Sequence, residues 1–198
     1  MQSRIGIVVL AAGGSTRMGQ PKQLLPLGAS TILEQTLAAA IGSVCRPVIA
    51  VVGASAEQIR PVIGVRIQVV ENPDWPEGIH TSIGAGLRAL QLCENVDGVV
   101  LTNADQPYIK ARVFNALVAR FRSGGKKIVA SSYSGTMGCP ALFAAELFPE
   151  LLALTEGGAK AVIRKYARHA LALAWPEGAY DVDTPEEYEF HRKAFAVY

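Results

Sequence analysis

Ser15, Thr16, Arg17 and Lys22 bring two hydroxyls and two positive charges to one short stretch that also holds Gly13 and Gly14. Ahead of it, residues 5–10 form an apolar run rich in β-branched side chains, with no polar alternation. That is the pattern of a strand buried on both faces. A strand emptying into a small, basic, glycine-bearing loop suits the holding of phosphates. Free backbone N–H groups point at the anion and the cations neutralise it. The small side chains of Ala11, Ala12, Gly13 and Gly14 let a ligand approach the backbone closely. Two familiar phosphate loops do not fit. A Walker loop needs Lys and Ser/Thr where Gln20-Pro21 follows Gly19. A dinucleotide fingerprint needs Gly-x-Gly-x-x-Gly opening a helix, whereas these glycines are adjacent with a proline nearby.

Three aspartates are candidate partners for that loop. Asp105 closes a second apolar run, immediately before Gln106-Pro107. A carboxylate at the end of a buried strand is costly unless it is paired or bound to a metal. For Asp105 alone, capping the next segment is the simpler role. Beside a phosphate loop a magnesium ligand is the better reading, since Mg2+ uses one or two carboxylates together with substrate phosphates. The second carboxylate is expected in Asp181-Val182-Asp183-Thr184-Pro185. Residues two apart in an extended segment face the same side, so Asp181 and Asp183 both qualify. Thr184 can cap the following helix by itself, which leaves Asp183 free for other work, although an acid there also complements the helix dipole.

The elements that must position these groups alternate along the chain. The capping box Thr31…Glu34 predicts a helix over 32–41. A buried strand over 47–52, a short helix opened by Ser55…Gln58 and a strand over 66–70 follow. Residues 72–78 are too rich in Pro and Gly to be regular. Next come a helix over 81–92, a strand over 98–101, a helix over 111–122 and a strand over 127–131. Beyond these, 138–143 reads as a short strand or turn, 145–152 and 158–167 as helices, and 170–174 as an edge strand. Thr184-Pro185-Glu186-Glu187 opens a last helix. Strands alternating with helices predict an α/β fold of three layers around a mostly parallel sheet. In such sheets ligands sit beyond the carboxyl ends of the strands. Strand polarity therefore gathers the loops at Ala11, Gly53, Asn72 and Asp105 on one edge.

At 198 residues, 50% hydrophobic and 18% charged, the chain suits one domain spanning 1–198 with ample material for a core. A net charge of +2 and no basic run longer than Lys126-Lys127 argue against nucleic-acid binding. Cys45, Cys93 and Cys139 lie far apart, with no CxxC pair, which suits a reducing cytoplasm better than a disulfide framework. Arg4 and the apolar run after it superficially resemble a signal peptide, but the run is short and β-branched, and cleavage would destroy the loop. No apolar run approaches the ~18 residues of a membrane span.

Residues 10–22, Leu-Ala-Ala-Gly-Gly-Ser-Thr-Arg-Met-Gly-Gln-Pro-Lys, resemble the LAAGxSxRMGxPK signature of nucleotidyltransferases at every defined position. Further matches are Asn72-Pro73-x-Trp75-x-Glu77-Gly78, Ser82-Ile83-x-x-Gly86, Asp105-Gln106-Pro107, Gly138-x-Pro140-x-x-Phe143, Gly158-Ala159-Lys160 and Asp181-Val182-Asp183-Thr184-Pro185. With these the chain resembles the molybdenum cofactor cytidylyltransferase family over nearly its whole length. The resemblance implies a Rossmann-like nucleotidyltransferase fold and a set of roles. Ala11, Ala12, Gly13 and Ser82 lie around the base and ribose, and Leu10 and Gly53 also belong to the nucleotide site. Gly14, Ser15, Arg17 and Lys22 hold the triphosphate, and Asp105 with Asp183 holds Mg2+. Arg17, Lys22 and Asp105 carry catalysis. In that family Leu-Ala-Ala-Gly goes with CTP and Leu-Ala-Gly-Gly with guanylyl transfer, so Ala12 points to cytidine. CTP and a molybdopterin-type cofactor are the implied substrates, with a molybdoenzyme or its chaperone receiving the product. One departure weakens the acceptor half: Thr155-Glu156-Gly157 stands where the family has Gly-Asp-x before Gly-Ala-Lys.

Two other functions remain open. One is nucleotidylyl transfer from CTP or GTP to another phosphorylated acceptor, such as a sugar or polyol phosphate. The methylerythritol enzymes share the first motif, but no long hairpin is expected here after Ser131. The other is a non-catalytic nucleotide binder or cofactor-insertion chaperone, which has no need of Arg17, Lys22, Asp105 and Asp183 together.

Overall fold

The computed structural model describes residues 3–93 and 95–195. In chain order, β1 (Ile5–Ala11) leads into the basic loop. A small antiparallel pair follows, β2 (Pro26–Leu27) and β3 (Ser30–Thr31). Then come α1 (Ile32–Ile41), β4 (Val48–Val52), α2 (Ala56–Ile59), β5 (Gln68–Glu71), α3 (Ile79–Cys93), β6 (Gly98–Asn103) and α4 (Ala111–Gly124). The second half holds β7 (Ile128–Tyr133), β8 (Thr136–Ala144), α5 (Phe148–Leu152), α6 (Ala159–Lys165), β9 (Ala170–Ala174) and α7 (Pro185–Phe195).

Seven strands form one sheet in the order β5-β4-β1-β6-β8-β7-β9. Only β8 runs against its neighbours among the described residues. The central strand shows why the layers form. Ile7 and Val9 pack with Leu33 and Leu37 of α1 and with Phe114 and Leu117 of α4. Val8 and Leu10, alternating with them, pack with Ile83 and Leu87 of α3 and with residues of α5 and α6. A strand apolar on both faces needs a helix layer on each side, and the chain supplies both. A third, smaller cluster joins Met18, Leu25, Leu27 and Ile32 to Val182 near the start of α7.

Helix starts mostly follow the local chemistry. Thr31 Oγ1 accepts from Glu34 N at 3.2 Å while Thr31 N donates to Glu34 Oε2 at 2.7 Å, completing the expected box. Ser55 makes no such cap, and α2 stops after four residues as the chain tightens into a 3-10 turn containing Pro61. The largest difference is β8, a nine-residue strand paired with β7 where a short strand or turn, and no long hairpin, was expected. Pro140 obscures it, because proline cannot donate to a ladder. The register shift between Ala130 and Ser131 absorbs it, since Ala130 pairs with Ala141 and Ser131 with Gly138. Ser134 and Gly135, both at positive φ, make the two-residue turn that this hairpin geometry requires.

Gly86 is where α3 comes closest to the sheet: a Cβ there would run into Val8 of β1 and Val51 of β4. Gly84 would meet only the mobile end of Arg88. Gly86→Ala should therefore cost about 1–3 kcal/mol in urea unfolding despite better helix propensity. Gly84→Ala should be neutral or stabilising. Equal effects at both positions would refute the close-packing account.

Candidate functional site

The carboxyl ends of β1 and β6 open onto a cavity of about 260 Å3. Its walls come from the loop after β1 (Ala12, Gly13, Ser15, Thr16, Arg17), from Lys22 and Gln23, and from Trp75 with Ile79 and Ser82 of α3. Asn103, Ala104 and Asp105 close the β6 side, and Asp183 reaches in from the segment before α7.

Charge converges at one end. Lys22 Nζ donates to Asp105 Oδ2 at 2.9 Å and to Asp183 Oδ1 at 2.6 Å. Arg17 pairs with the other oxygen, Asp183 Oδ2, at 2.7 Å. Burial alone would lower the Lys22 pKa, but attraction to Asp105 and the hydrogen bonds it donates to both aspartates outweigh it and hold the ammonium above its ordinary value. Burial likewise pushes Asp183 up, and the Lys22 and Arg17 contacts more than reverse that, holding it below the usual carboxylate range. Asp105 Oδ1 is buried and accepts from no partner among the described residues. An orphaned carboxylate oxygen beside a second carboxylate fits a hard cation, which prefers oxygen ligands.

Local interactions aim these groups. Gln23, 2% exposed, donates to the carbonyls of Ala11 (3.1 Å) and Gly13 (2.9 Å) and accepts from Ser15 Oγ at 3.2 Å. Ser15, at φ 51, turns the loop back so that its Oγ also accepts from Lys22 N at 3.2 Å. Val182 is buried in the cluster around Met18, and its N–H donates to Asp105 O at 3.0 Å. Thr184 Oγ1 caps α7 by accepting from Glu187 N, and Glu187 Oε2 accepts from the Asp183 and Thr184 amides at 2.8 and 3.0 Å. The capping task is thereby met without the Asp183 carboxylate. Asn72 donates to Thr81 Oγ1 and Ser82 Oγ, tying the irregular 72–78 segment to the start of α3.

Of the residues singled out in the sequence, Leu10, Ala12, Gly13, Ser15, Arg17, Lys22, Ser82, Asp105 and Asp183 line the cavity. Ala11, Gly14 and Gly53 stand behind its wall. Ala11 is buried, a Cβ on Gly14 would crowd the Trp75 ring, and one on Gly53 would crowd Ala12 and Trp75. Asp181 sits outside the Lys22 contacts and borders a separate cleft with Tyr180, Glu186 and Phe190. Gln23 and Asn103 were not singled out, and only a buried amide beside the loop would have marked them. Gln106, 1% exposed, bonds the Cys139 and Gly178 carbonyls and so braces the Asp105 loop.

The fold and the charged cavity define a nucleotide-handling α/β protein. Residues 7–170 match the MobA-like NTP transferase domain, and the chain belongs to that family as a nucleotidyltransferase. It is 32% identical to the purine catabolism protein PucB of Bacillus subtilis (strain 168), covering 96% of each chain. It is 25% identical to the molybdenum cofactor cytidylyltransferase of Escherichia coli (strain K12), covering 94% of each. Among solved structures, the rv0371c homolog from Mycobacterium sp. strain JC1 matches at a TM-score of 0.82 and 31% identity, over 100% of this chain and 99% of that one. The manganese complex of Rv0371c from Mycobacterium tuberculosis H37Rv matches at 0.72 and 27%, over 98% and 100%.

Asp181 carries a testable electrostatic load. Burial, then the charge of Asp105, pushes its pKa from 3.8 to about 6. The folded state therefore binds this proton more tightly than the unfolded chain, so stability falls as pH rises through roughly 4–6 and the cost is constant above that. A two-unit shift corresponds to about 3 kcal/mol; screening at a partly exposed group leaves roughly 1–2 kcal/mol. In metal-free buffer Asp181→Asn should raise the melting temperature at pH 7.5, with the gain fading toward pH 4. A gain independent of pH would contradict the assignment.

Proposed function

We propose that the protein moves CMP from CTP to the terminal phosphate of a molybdopterin-type cofactor and releases pyrophosphate. The observation carrying this is the meeting of Arg17, Lys22, Asp105 and Asp183 beside the loop that ends β1. Arg17, Lys22 and the 13–15 backbone are assigned to the triphosphate. Leu10, Ala12, Gly13 and Ser82 are assigned to the base and ribose, with Ala11 and Gly53 as their backing. Asp105 and Asp183 are assigned to Mg2+, which when bound would neutralise phosphate charge. We take the whole chain as one domain acting in the cytoplasm, in keeping with its three free thiols. Among the described residues no helix is long and apolar enough to cross a membrane.

The acceptor phosphate oxygen attacks the α-phosphorus in line; its P–O bond forms as the bond to pyrophosphate breaks. That oxygen is already anionic at pH 7, so no general base is required. No histidine or cysteine lines the cavity among the described residues. Cations that meet growing negative charge more strongly in the transition state lower the barrier.

A second reading, transfer to a different phosphorylated acceptor, is favoured by Glu156. It is exposed on the bend before α6 and lies outside the cavity wall, and the relative of higher identity is named for purine catabolism. Pyrophosphate release separates the two. CTP with molybdopterin should support turnover and GTP should not, and Asp105→Asn should lose about 10²–10³-fold. A preference for GTP would refute the role of Ala12; full activity in the variant would refute the metal assignment.

A further inference from the structure

Lys22 does more in this structure than wait for a phosphate. Asp105 and Asp183 present four oxygens. Lys22 holds one from each, Arg17 holds a third, and Asp105 Oδ1 alone is unpartnered. The Lys22 side chain is 14% exposed, against 20% for Asp105 and 32% for Asp183, so these contacts are shielded from water and weakly screened. Both carboxylates, the two groups assigned above to the ion, touch Lys22 Nζ at once. Without it, two carboxylates at this separation would repel each other in a partly dry site.

We propose that Lys22 is a stand-in counter-ion. Its ammonium and a divalent cation compete for the aspartate pair, and a triphosphate that draws the ammonium away frees the pair for the cation. The proposal rests on the metal reading above and adds to it a binding order. The lysine stem is flexible and its ammonium is a compact charge, so Nζ can leave while the backbone stays anchored through the Lys22 N to Ser15 Oγ bond. A triphosphate offers it charge-assisted hydrogen bonds in exchange. Nucleotide and cation then bind as a coupled event. By linkage each raises the other's affinity by the same factor, commonly about 5–150-fold.

The test reads Mn2+ alone, without nucleotide, by electron paramagnetic resonance of the free ion against the full chain. Lys22→Met removes the charge and keeps the stem. It should tighten Mn2+ binding by about tenfold or more, within the usual range of coupling. Arg17→Met removes an equal charge that touches only Asp183, so it should gain clearly less. Adding Asp105→Asn to Lys22→Met should cancel the gain. Equal gains at 17 and 22, or none at 22, would overturn the stand-in role and leave the metal site intact. Indifference of Mn2+ to Asp105→Asn in every background would sink the metal reading, and this inference with it. A wild-type measurement covers the case of a poorly folding variant. Amine labelling at Lys22, read by peptide mass spectrometry, should be slow in metal-free buffer and faster at saturating Mg2+. An unchanged rate overturns the proposal.

Discussion

The ammonium of Lys22 between two aspartates is the contact on which the site depends. It joins chain segments 83 and 161 residues apart at one atom. Each pair is worth about 4 kcal/mol gross at ~4 Å and an effective dielectric near 20. Partial burial of three charges takes back much of that gain. The net stabilisation is therefore modest, and the consequence is geometric. Removing any one member leaves a like-charge or unpaired group in a partly buried place, so the three hold one another in position.

The rest of the fold brings those segments to the same edge. Parallel pairing of β1 with β4 and β6 forces their exits to one side. The second aspartate arrives by different physics. Alternation along Asp181-Val182-Asp183 sends Val182 into the cluster with Met18 and Leu27, while Asp183 faces Arg17 and Lys22. The hydrogen bond from Val182 N to Asp105 O then sets the spacing between the two carboxylate-bearing segments. A hydrophobic contact thus registers an electrostatic one.

Much of this was legible in the residues. The run at 5–10, the box at Thr31 and Glu34, and the Thr184-Pro185 start each state a local preference that the structure keeps. What escaped was non-local. The β8 strand is interrupted by Pro140 and is rescued by a bulge that no local pattern announces. Asp181 and Asp183 obey the same two-residue period, yet only Asp183 finds cations, because the identity of the neighbour across the gap is a tertiary fact. Gln23 and Gln106 read as ordinary polar residues until burial to 2% and 1% shows that they brace the two loops.

The basic loop after β1 was legible and the acceptor was not, for a chemical reason. Triphosphate recognition needs backbone amides, small residues and fixed cations at short spacing, so it must be written in one contiguous loop. An acceptor that brings its own anionic nucleophile asks the protein for no base and no activated side chain. Its recognition then rests on shape and on scattered hydrogen bonds from several elements, which leave no compact motif. The side chain of Ile79, on the cavity wall, lies 3.1 Å from where a Cβ on Gly158 would sit, so the residue that opens α6 packs behind that wall through an apolar contact. A loop of this kind is thus compatible with relatives named for purine catabolism and for molybdenum cofactor cytidylyl transfer.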